Sequence, residues 1–513
     1  MAEQLLTTTI QAPGFMGLNT QDSSVGLDAG FATIAENCII DKFGRIGSRQ
    51  GWTAKHVSNG TLSTASVQSM AELIDNAGTS YVVVAGNNAL FTLSGATLTA
   101  ISYDGGGTAP TISDNNWQMA ALNGCLYLYQ VGHDPLVFEP AVSTSGYRRI
   151  AEKAGYVGTI QNSNCVVSAY GRTWSANTSI NVTTVQFSDL LAGHVFSTGT
   201  AGTLDISSIW PSGADEIIAL KAHNGYLYIF GRRQILIYQG AADPATMSLA
   251  DAVSGIGCLA RDSVVVAGGD IIFLSDNGIR SMLRTIQEKS APMRDISTNV
   301  RDGLVEAVDV ETAANIKAIY SDKHAFYLLS LPVNNVVYCF DMRQTLQNGA
   351  SRVTIWTNIT PKSFLYTRNK DLLIGQPGFV GIYGGYYDNT SSYRLRYYTN
   401  YFDFQSPTTI KILKKVNLTF VGGNGADVVI KYGFDYIPQF YAQTLTLGDI
   451  TIAEYGIAEY DIGYYTAGIV FDNKKVQVGG SGNVIQLAIE TIINGAELSL
   501  QKLDCYVKNG RTR

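Results

Sequence analysis

The stretch Tyr226-Leu-Tyr-Ile-Phe-Gly-Arg-Arg-Gln-Ile-Leu-Ile-Tyr238 holds two apolar runs on either side of a short polar turn. Both runs are rich in β-branched and aromatic side chains, which suit a pleated, half-buried surface. The turn between them is short enough to join two neighbouring antiparallel strands. The stretch therefore predicts a β-hairpin.

The same apolar run, turn and second apolar run recur along the chain at intervals of about 40 to 60 residues. The seven units begin near residues 81, 125, 165, 226, 271, 325 and 372. Asn-Gly, a pair that adopts the positive φ angles of tight hairpin turns at little cost, occurs eight times. A hairpin at this period predicts an all-β fold built on a β-propeller of six or seven blades, not all of them regular. A series of β-sandwiches is the alternative, but sandwiches would not repeat one hairpin at so even a spacing.

The two ends of the chain do not follow the repeat. Residues 1–60 are polar and Gly-rich. From about residue 393 the sequence has longer runs in which apolar and polar residues alternate. In one such run Ile485, Leu487 and Ile489 share a face opposite Gln486 and Glu490, as in a half-buried strand. The sequence thus predicts an N-terminal arm over residues 1–60, the propeller over 61–392, and a C-terminal β-sandwich platform over 393–513 that packs with the N-terminal segment.

Helices are scarce in this pattern. The spacing of Val300, Leu304 and Val308 predicts one helix from Ser297 to Val308, with the Ser297 side chain as its N-cap. Because this segment falls between two hairpin units, we expect it to connect two blades.

Composition bounds the function. Charged residues make up 15% of the 513 residues, below the roughly 25% of an average soluble domain, and the formal net charge is −6. Low charge predicts that much of the surface is hidden, either in a large core or against other subunits, and the acidic balance argues against a basic face that binds nucleic acid. The start of the chain resembles no export signal, and no apolar run approaches the roughly 20 residues that span a bilayer.

The six cysteines are widely scattered, which predicts free thiols in the core of a protein folded in a reducing cytoplasm.

No pattern for catalysis is present in the sequence. The five histidines lack the spacing of a metal pair, and His133 and His223 are expected in solvated turns. Nucleophile-elbow, Walker and calcium-loop motifs are absent, and Ser275-Asp-Asn-Gly lacks the spacing of a sialidase Asp-box. Tyr383-Gly-Gly-Tyr-Tyr387 could stack sugars or bases, but an edge strand or a subunit contact is the favoured interpretation. We therefore predict no catalytic residue, no cofactor and no metal.

Several stretches resemble the tail nozzle (tail tubular protein B) family of short-tailed, podovirus-like bacteriophages. The N-terminal matches are Ala12-Pro-Gly-Phe-Met-Gly-Leu-Asn-Thr-Gln-Asp22, Leu27-Asp-Ala-Gly-Phe-Ala32, Glu36-Asn-Cys38, Gly44-Arg-Ile-Gly47 and Arg49-Gln-Gly-Trp52. The matches in the hairpin region are Ala169-Tyr-Gly-Arg-Thr-Trp174, Phe187-Ser-Asp-Leu190, Asn224-Gly-Tyr-Leu-Tyr-Ile-Phe-Gly-Arg232 and Phe273-Leu-Ser-Asp-Asn-Gly-Ile-Arg-Ser281. Each is weak alone, but together they follow one another in order over residues 10 to about 300. The C-terminal third carries no matching motif.

The resemblance implies a structural virion protein that forms a homo-hexamer below an adaptor (head-to-tail connector) ring. In that family the hexamer is the distal conduit for genome ejection, tail fibres or spikes attach nearby, and the protein assembles in the bacterial host cytoplasm. Double-stranded DNA would pass through the lumen without specific binding, since an acidic lumen repels phosphate. The runner-up is a carbohydrate-binding or sugar-cleaving propeller, such as a host-surface depolymerase.

Two sets of residues carry specific expectations. Arg45, Arg49 and Trp52 are candidates for a subunit or adaptor contact, because Arg and Trp are favoured there, with a buried structural role as the alternative. Phe230 and Phe273 lie in the most apolar hairpins, and we expect both to be buried between blades.

Overall fold

The computed structural model of the chain describes residues 5–288, 295–448 and 471–512. Within these ranges the hairpin region forms seven antiparallel units in chain order, which we call blades 1 to 7; a parallel pair, Ser102 with Gly146, joins the last strands of blades 1 and 2. The first strands of neighbouring blades lie side by side around a common axis, and the first strand of blade 7 returns to the first strand of blade 1. The fold is therefore a closed β-propeller with seven blades.

Six blades have four strands and blade 5 has three. Blade 1 comprises Val67–Ile74, Ser80–Gly86, Ala89–Ser94 and Thr97–Tyr103; blade 2 comprises Gln118–Leu122, Cys125–Tyr129, Leu136–Phe138 and Gly146–Arg149. Blade 3 comprises Ser163–Ala169, Arg172–Thr178, Thr184–Phe187 and Gly202–Asp205; blade 4 comprises Ile217–His223, Tyr226–Gly231, Gln234–Gln239 and Ser248–Ser254. Blade 5 comprises Val265–Ala267, Asp270–Ser275 and Gly278–Ser281; blade 6 comprises Lys317–Ser321, Phe326–Leu331, Val336–Thr345 and Ser351–Thr357. Blade 7 comprises Phe364–Tyr366, Leu372–Gln376, Phe379–Tyr383 and, from the N-terminal segment, Trp52–Ala54.

The outer strand of blade 7 comes from the opposite end of the propeller region in sequence. Thr53 pairs with Ile382 and Trp52 with Tyr383, both antiparallel. A sheet edge that pairs with the N-terminal segment closes the ring without leaving its last blade incomplete.

All seven hairpins predicted from the sequence are present. In six blades the predicted unit is the pair of the second and third strands, as in Tyr226–Gly231 with Gln234–Gln239. In blade 3 the predicted unit, Ser163–Ala169 with Arg172–Thr178, is the first and second strand instead. The apolar pattern detects a hairpin but not its position within a blade, because neighbouring strands of a buried blade are equally apolar.

The platform is built from both ends of the chain. Its first sheet contains Leu6–Gln11, Cys38–Ile40, Ile46–Ser48, Thr409–Gly422, Phe471–Gln477, Ser481–Gly482 and Leu498–Thr512. Its second sheet contains Gly17–Leu18, Phe31–Glu36, Tyr393–Thr399, Asp427–Phe434, Tyr441–Thr446 and Ile485–Ile493. A single parallel pair, Ile355 with Glu36, joins this second sheet to blade 6.

One hydrophobic cluster extends from the platform into the propeller. Leu413 and Val416 of the first sheet and Ile485 and Leu487 of the second belong to the same buried cluster, which defines a β-sandwich. That cluster continues into blades 5 and 6, where it includes Leu274 and Leu329, among others. The platform is therefore packed continuously against the propeller.

Strand Ile485–Ile493 differs from the half-buried strand that its alternation predicts. It lies between Tyr393–Thr399 and Asp427–Phe434, and its polar residues Gln486 and Glu490 are buried as well. The Gln486 amide donates to the carbonyl of Thr399 over 2.8 Å, and the Glu490 carboxylate accepts from Lys431 over 2.9 Å. Buried polar groups of this kind are stable only with such partners.

The predicted helix exists but begins later than expected. A single 3₁₀ turn, Thr298–Val300, leads into the α-helix Arg301–Asp309, between blades 5 and 6. Ser297 does not cap it, because the Ser297 hydroxyl accepts a hydrogen bond from the Ile279 backbone N–H over 3.0 Å. Leu304 and Val308 face the core as predicted. The described residues contain one further α-helix, Met282–Glu288, and 3₁₀ turns at Ile150–Glu152 and Arg261–Ser263.

All six cysteines are free and buried, as the sequence predicts. Burial raises the pKa of the Cys165 and Cys258 thiols to about 12. Thiols held so far from ionisation behave as small core hydrophobes.

Candidate functional site

Arg49 lies inside the molecule, at the junction of the arm, blade 7 and the platform. Its guanidinium donates two hydrogen bonds to the Asp388 carboxylate, over 2.8 and 2.6 Å, and one to Asn37 Oδ1 over 2.9 Å. The guanidinium carbon is 4.0 Å from the centroid of the Tyr393 ring. The Arg49 side chain has no exposed surface, so it takes the buried structural role.

The backbone beside Arg49 is held equally closely. A Cβ atom on Gly51 would stand 1.9 Å from the Tyr387 carbonyl oxygen, so only glycine fits there. The Trp52 N–H donates to that same carbonyl over 2.8 Å. The Gly51-Trp52 pair of the sequence motif therefore lies where two backbone segments approach closely, its own and the one at Tyr387.

Arg45 lies beneath two exposed aromatic rings of the platform. It is 7% exposed and donates from Nε to Gln501 Oε1 over 2.6 Å. Its guanidinium is 4.4 Å from the centroid of the Phe43 ring and 6.0 Å from that of Phe471. Phe43 and Phe471 are 47% and 48% exposed, and we call these two rings with Arg45 the Phe43–Phe471 patch.

Trp52 belongs to the outer strand of blade 7 and is half-buried. Its ring covers Gly381, where an added Cβ would approach the indole to 2.6 Å. It packs against the cluster that contains Phe326, Trp356 and Tyr383. The three sequence candidates therefore have different surroundings. Arg49 is buried, Trp52 packs in the outer strand of blade 7, and Arg45 lies beneath an exposed aromatic patch.

A cavity of about 310 Å³ lies at the propeller axis. The first strands of several blades line it, with Gln68 of blade 1, Gln118 of blade 2, Lys221 of blade 4 and Lys317 of blade 6. The 3₁₀ turn before blade 5 contributes Arg261 and Asp262.

An ion cluster joins the blades at this cavity. Arg261 donates from Nε and Nη2 to the two oxygens of Asp262, over 2.9 and 2.8 Å, and its Nη1 donates to the Asn164 carbonyl over 2.7 Å. The Lys317 ammonium donates to both Asp262 and Asn116 Oδ1. These two cations hold the pKa of Asp262 well below its usual value despite burial, so this carboxylate stays ionised.

Sequence reasoning missed this cluster, although a signal for it exists. Lys221 follows the apolar run Ile217-Ile-Ala-Leu in the first strand of blade 4. Lys317 stands between Ile316 and Ala318-Ile at the start of the first strand of blade 6. A lysine inside an apolar strand is rarely buried without a partner. Both lysines lie in the first strand of a blade, outside the hairpin units that recur along the sequence.

The histidines lie in separate parts of the fold. His56 Nε2 accepts the Val380 N–H over 3.0 Å and so fastens the N-terminal segment to blade 7. His133 lies in a turn, as predicted, with its ring edge against Trp117. His223 instead ends the first strand of blade 4. Among the residues that the structure describes, no group of three or more histidine, cysteine or acidic side chains is placed to hold a metal ion.

The Tyr383–Tyr387 segment divides into a buried and an exposed part. Tyr383 is buried and stacks on Trp356, with ring centroids 5.4 Å apart. Tyr387 is 40% exposed and lies against Gly495 of the platform. The segment links blade 7 to the platform, and its rings do not form a shared stacking surface.

No protein-family model matches the chain, and no curated protein matches it. Solved structures similar to it include the PorZ surface component of the type-IX secretion system of Porphyromonas gingivalis, at 12% identity and a TM-score of 0.37, over 64% of this chain and 37% of that one. The Pan2 WD40 domain of Neurospora crassa is 10% identical with a TM-score of 0.39, over 66% of this chain and 96% of that one. YCF48 of Cyanidioschyzon merolae is 10% identical with a TM-score of 0.38, over 65% of this chain and 98% of that one. At these values the matches carry no functional argument, and the propeller assignment rests on the strand topology above.

Within the described ranges, no helix has the length and apolar character that a membrane span requires.

Proposed function

We propose that this protein is the tail nozzle subunit of a short-tailed bacteriophage virion. Six copies would form a ring below an adaptor, through which the genome leaves. The observation that carries the proposal is the ordered series of nozzle-like motifs in residues 12–52, together with the structural work those residues do. They supply strands to both platform sheets and the closing strand of blade 7.

Such a subunit must transmit force without coming apart. The shared core of platform and blades 5 and 6, and the buried Arg49–Asp388 pair, tie the two parts of the chain together. A rigid subunit of this kind suits a ring that stays assembled while DNA passes through it.

The route for DNA would lie between copies and not through the propeller. The axial cavity of about 310 Å³ has the volume of a small-molecule pocket. A duplex whose major groove alone is about 12 Å wide cannot enter it. A conduit therefore requires several copies around a shared axis, and cyclic symmetry is the common way to close one.

The Phe43–Phe471 patch is the contact surface that we propose for a neighbouring copy. Two aromatic rings that are about half exposed, with an arginine between them, have the composition of an interface core. The patch lies on the platform, the part through which copies pack in the family that the sequence resembles. Arg45 stays a contact candidate, because it packs against the two rings of this patch.

The sugar-cleaving alternative gains no support at the propeller axis. Most glycosidases need two carboxylic groups across the scissile bond. Within the described part of the chain, Asp262 is the one carboxylate that lines the axial cavity, and Arg261 and Lys317 already bind it. We therefore propose no catalytic role for this cavity.

Imaging of the protein within its virion tests the proposal. We expect six copies around a channel at the distal end of the tail, in contact with an adaptor ring and with fibres or spikes attached nearby. A trimer attached at the side of the tail would overturn the proposal. The free protein should also bind duplex DNA no more than weakly at physiological salt.

Oligomer assays with variants test the contact surface separately. The double substitution Phe43→Ser and Phe471→Ser should abolish ring formation in the presence of the adaptor while leaving the melting temperature of the monomer nearly unchanged. A matched control replaces Val131 and Val142, which are 55% and 59% exposed on the propeller, by Ser. Rings that form equally well in both double variants would exclude the patch as the contact.

A further inference from the structure

The axial cavity carries more positive than negative charge, although the whole chain is acidic. Three cations, Lys221, Arg261 and Lys317, line it, against the single carboxylate of Asp262. Clustered charges of one sign attract a counter-ion of the opposite sign. This imbalance is the first indication of a ligand.

The hydrogen bonds show where the unsatisfied donors lie. Arg261 is fully engaged by Asp262, Asn116 and Asn164. The Lys317 ammonium has three N–H groups, of which two are taken by Asp262 and Asn116. For Lys221, no acceptor lies within hydrogen-bonding distance among the residues of the described ranges. Lys221 is half-buried at the cavity wall, and desolvation lowers the pKa of its ammonium.

The rest of the lining suits a small ligand with an apolar part. Gln118 accepts the Val166 N–H through Oε1 over 2.6 Å, which leaves its amide N–H groups as donors. Trp117, Met70 and Phe364 provide apolar surface beside these donors. A cavity of about 310 Å³ with convergent polar groups and some apolar surface beside them suits a small polar ligand.

We propose that the axial cavity binds a small organic anion through its carboxylate or phosphate group. Lys221 and the free N–H of Lys317 hold the anionic group, and the apolar lining contacts the remainder. The ligand supplies the negative charge that the cluster lacks, so its binding also fastens blades 4 and 6 to one another. This inference concerns the propeller axis and is independent of the proposed role in a phage tail.

Calorimetric titration of the intact chain with inorganic phosphate and, separately, with succinate tests the proposal. Sodium chloride at matched ionic strength controls for screening. We expect saturable one-to-one binding of phosphate or succinate that chloride does not reproduce, and the tighter of the two identifies the preferred anionic group. A response that follows ionic strength alone would overturn the proposal.

Two variants locate the site. Lys221→Met should weaken binding by about thirtyfold or more, because it removes a charged partner of the anion. Without anion, the same variant should melt at a higher temperature than the parent, since it removes one of three like charges that line the cavity. Lys323→Met, at an exposed residue of blade 6, makes the same change in net charge and should alter neither property. Equal affinity in parent and both variants would exclude the cavity as the site, as would a lower melting temperature of Lys221→Met in the absence of anion.

Discussion

Arg49 and Asp388 are 339 residues apart in sequence, yet they form a two-pronged ion pair with N–O distances of 2.8 and 2.6 Å. The pair joins the segment that precedes the closing strand of blade 7 to the segment that leaves the same blade for the platform. Both ends of the propeller are therefore fastened at one buried point. Planar bidentate geometry is particular to arginine, so lysine cannot replace it there.

Breaking this pair from one side should be costly. Asp388→Asn leaves the Arg49 guanidinium buried without its counter-charge, and we expect the free energy of unfolding to fall by about 3 to 5 kcal/mol. Chemical denaturation measures this loss. Asp302→Asn, at the exposed pair with Arg301, is the matched control and should change stability by less than about 1 kcal/mol. Similar losses in both variants would show that the buried pair has no special role.

Gly51 should tolerate no side chain. In Gly51→Ala the new Cβ would meet the Tyr387 carbonyl at 1.9 Å, so the backbone at residue 51 and the backbone at Tyr387 must move apart. We expect a loss of about 3 kcal/mol or more, measured as a drop in the melting temperature. Gly60→Ala is the control, because a Cβ there meets nothing within 4 Å. Its stability should equal or slightly exceed that of the parent.

Phe230 of blade 4 and Phe273 of blade 5 are both fully buried, with ring centroids 5.2 Å apart. Phe230→Ala and Phe273→Ala should each lower the free energy of unfolding by about 3 to 5 kcal/mol, through lost burial and a cavity. Because the rings touch, the double variant should lose less than the sum of the two single losses. Leu249→Ala, 42% exposed on blade 4, serves as the control. Additive losses would show that the two blades do not pack through these rings.

His324 should make the protein sensitive to mild acid. Its ring stacks on Phe326, and desolvation lowers its pKa from 6.5 to about 4. Between these two values the unfolded chain binds a proton that the folded chain does not, so stability falls as the pH drops from 6.5 to 4. Since the ring is only partly buried, we expect this group to contribute about 1 to 2 kcal/mol to the loss.

Denaturation of His324→Gln across this pH range isolates the contribution of His324. The slope of stability against pH should become shallower in the variant, and stability above pH 7 serves as the reference. An unchanged slope would assign the acid sensitivity to other groups.

The sequence alone determined the repeated unit. Hairpins such as Tyr226–Tyr238 depend on apolar alternation and turn residues within about a dozen positions, and this local information predicted all seven of them. It also predicted the buried cysteines and the burial of Phe230 and Phe273, because the most apolar segments of a closed fold have few other places to lie.

Only the tertiary structure decided how the units close and what the charged residues do. The sequence indicated that Arg45, Arg49 and Trp52 matter, yet their neighbours Gln501, Asp388 and Gly381 are hundreds of residues away. The same holds for Lys317, which meets an acidic partner 55 residues earlier in the chain. The local sequence pattern indicates whether a side chain suits the core. The partner that stabilises a buried charge depends on which distant segments the fold brings together. That is why the strands were predictable and the ion pairs between them were not.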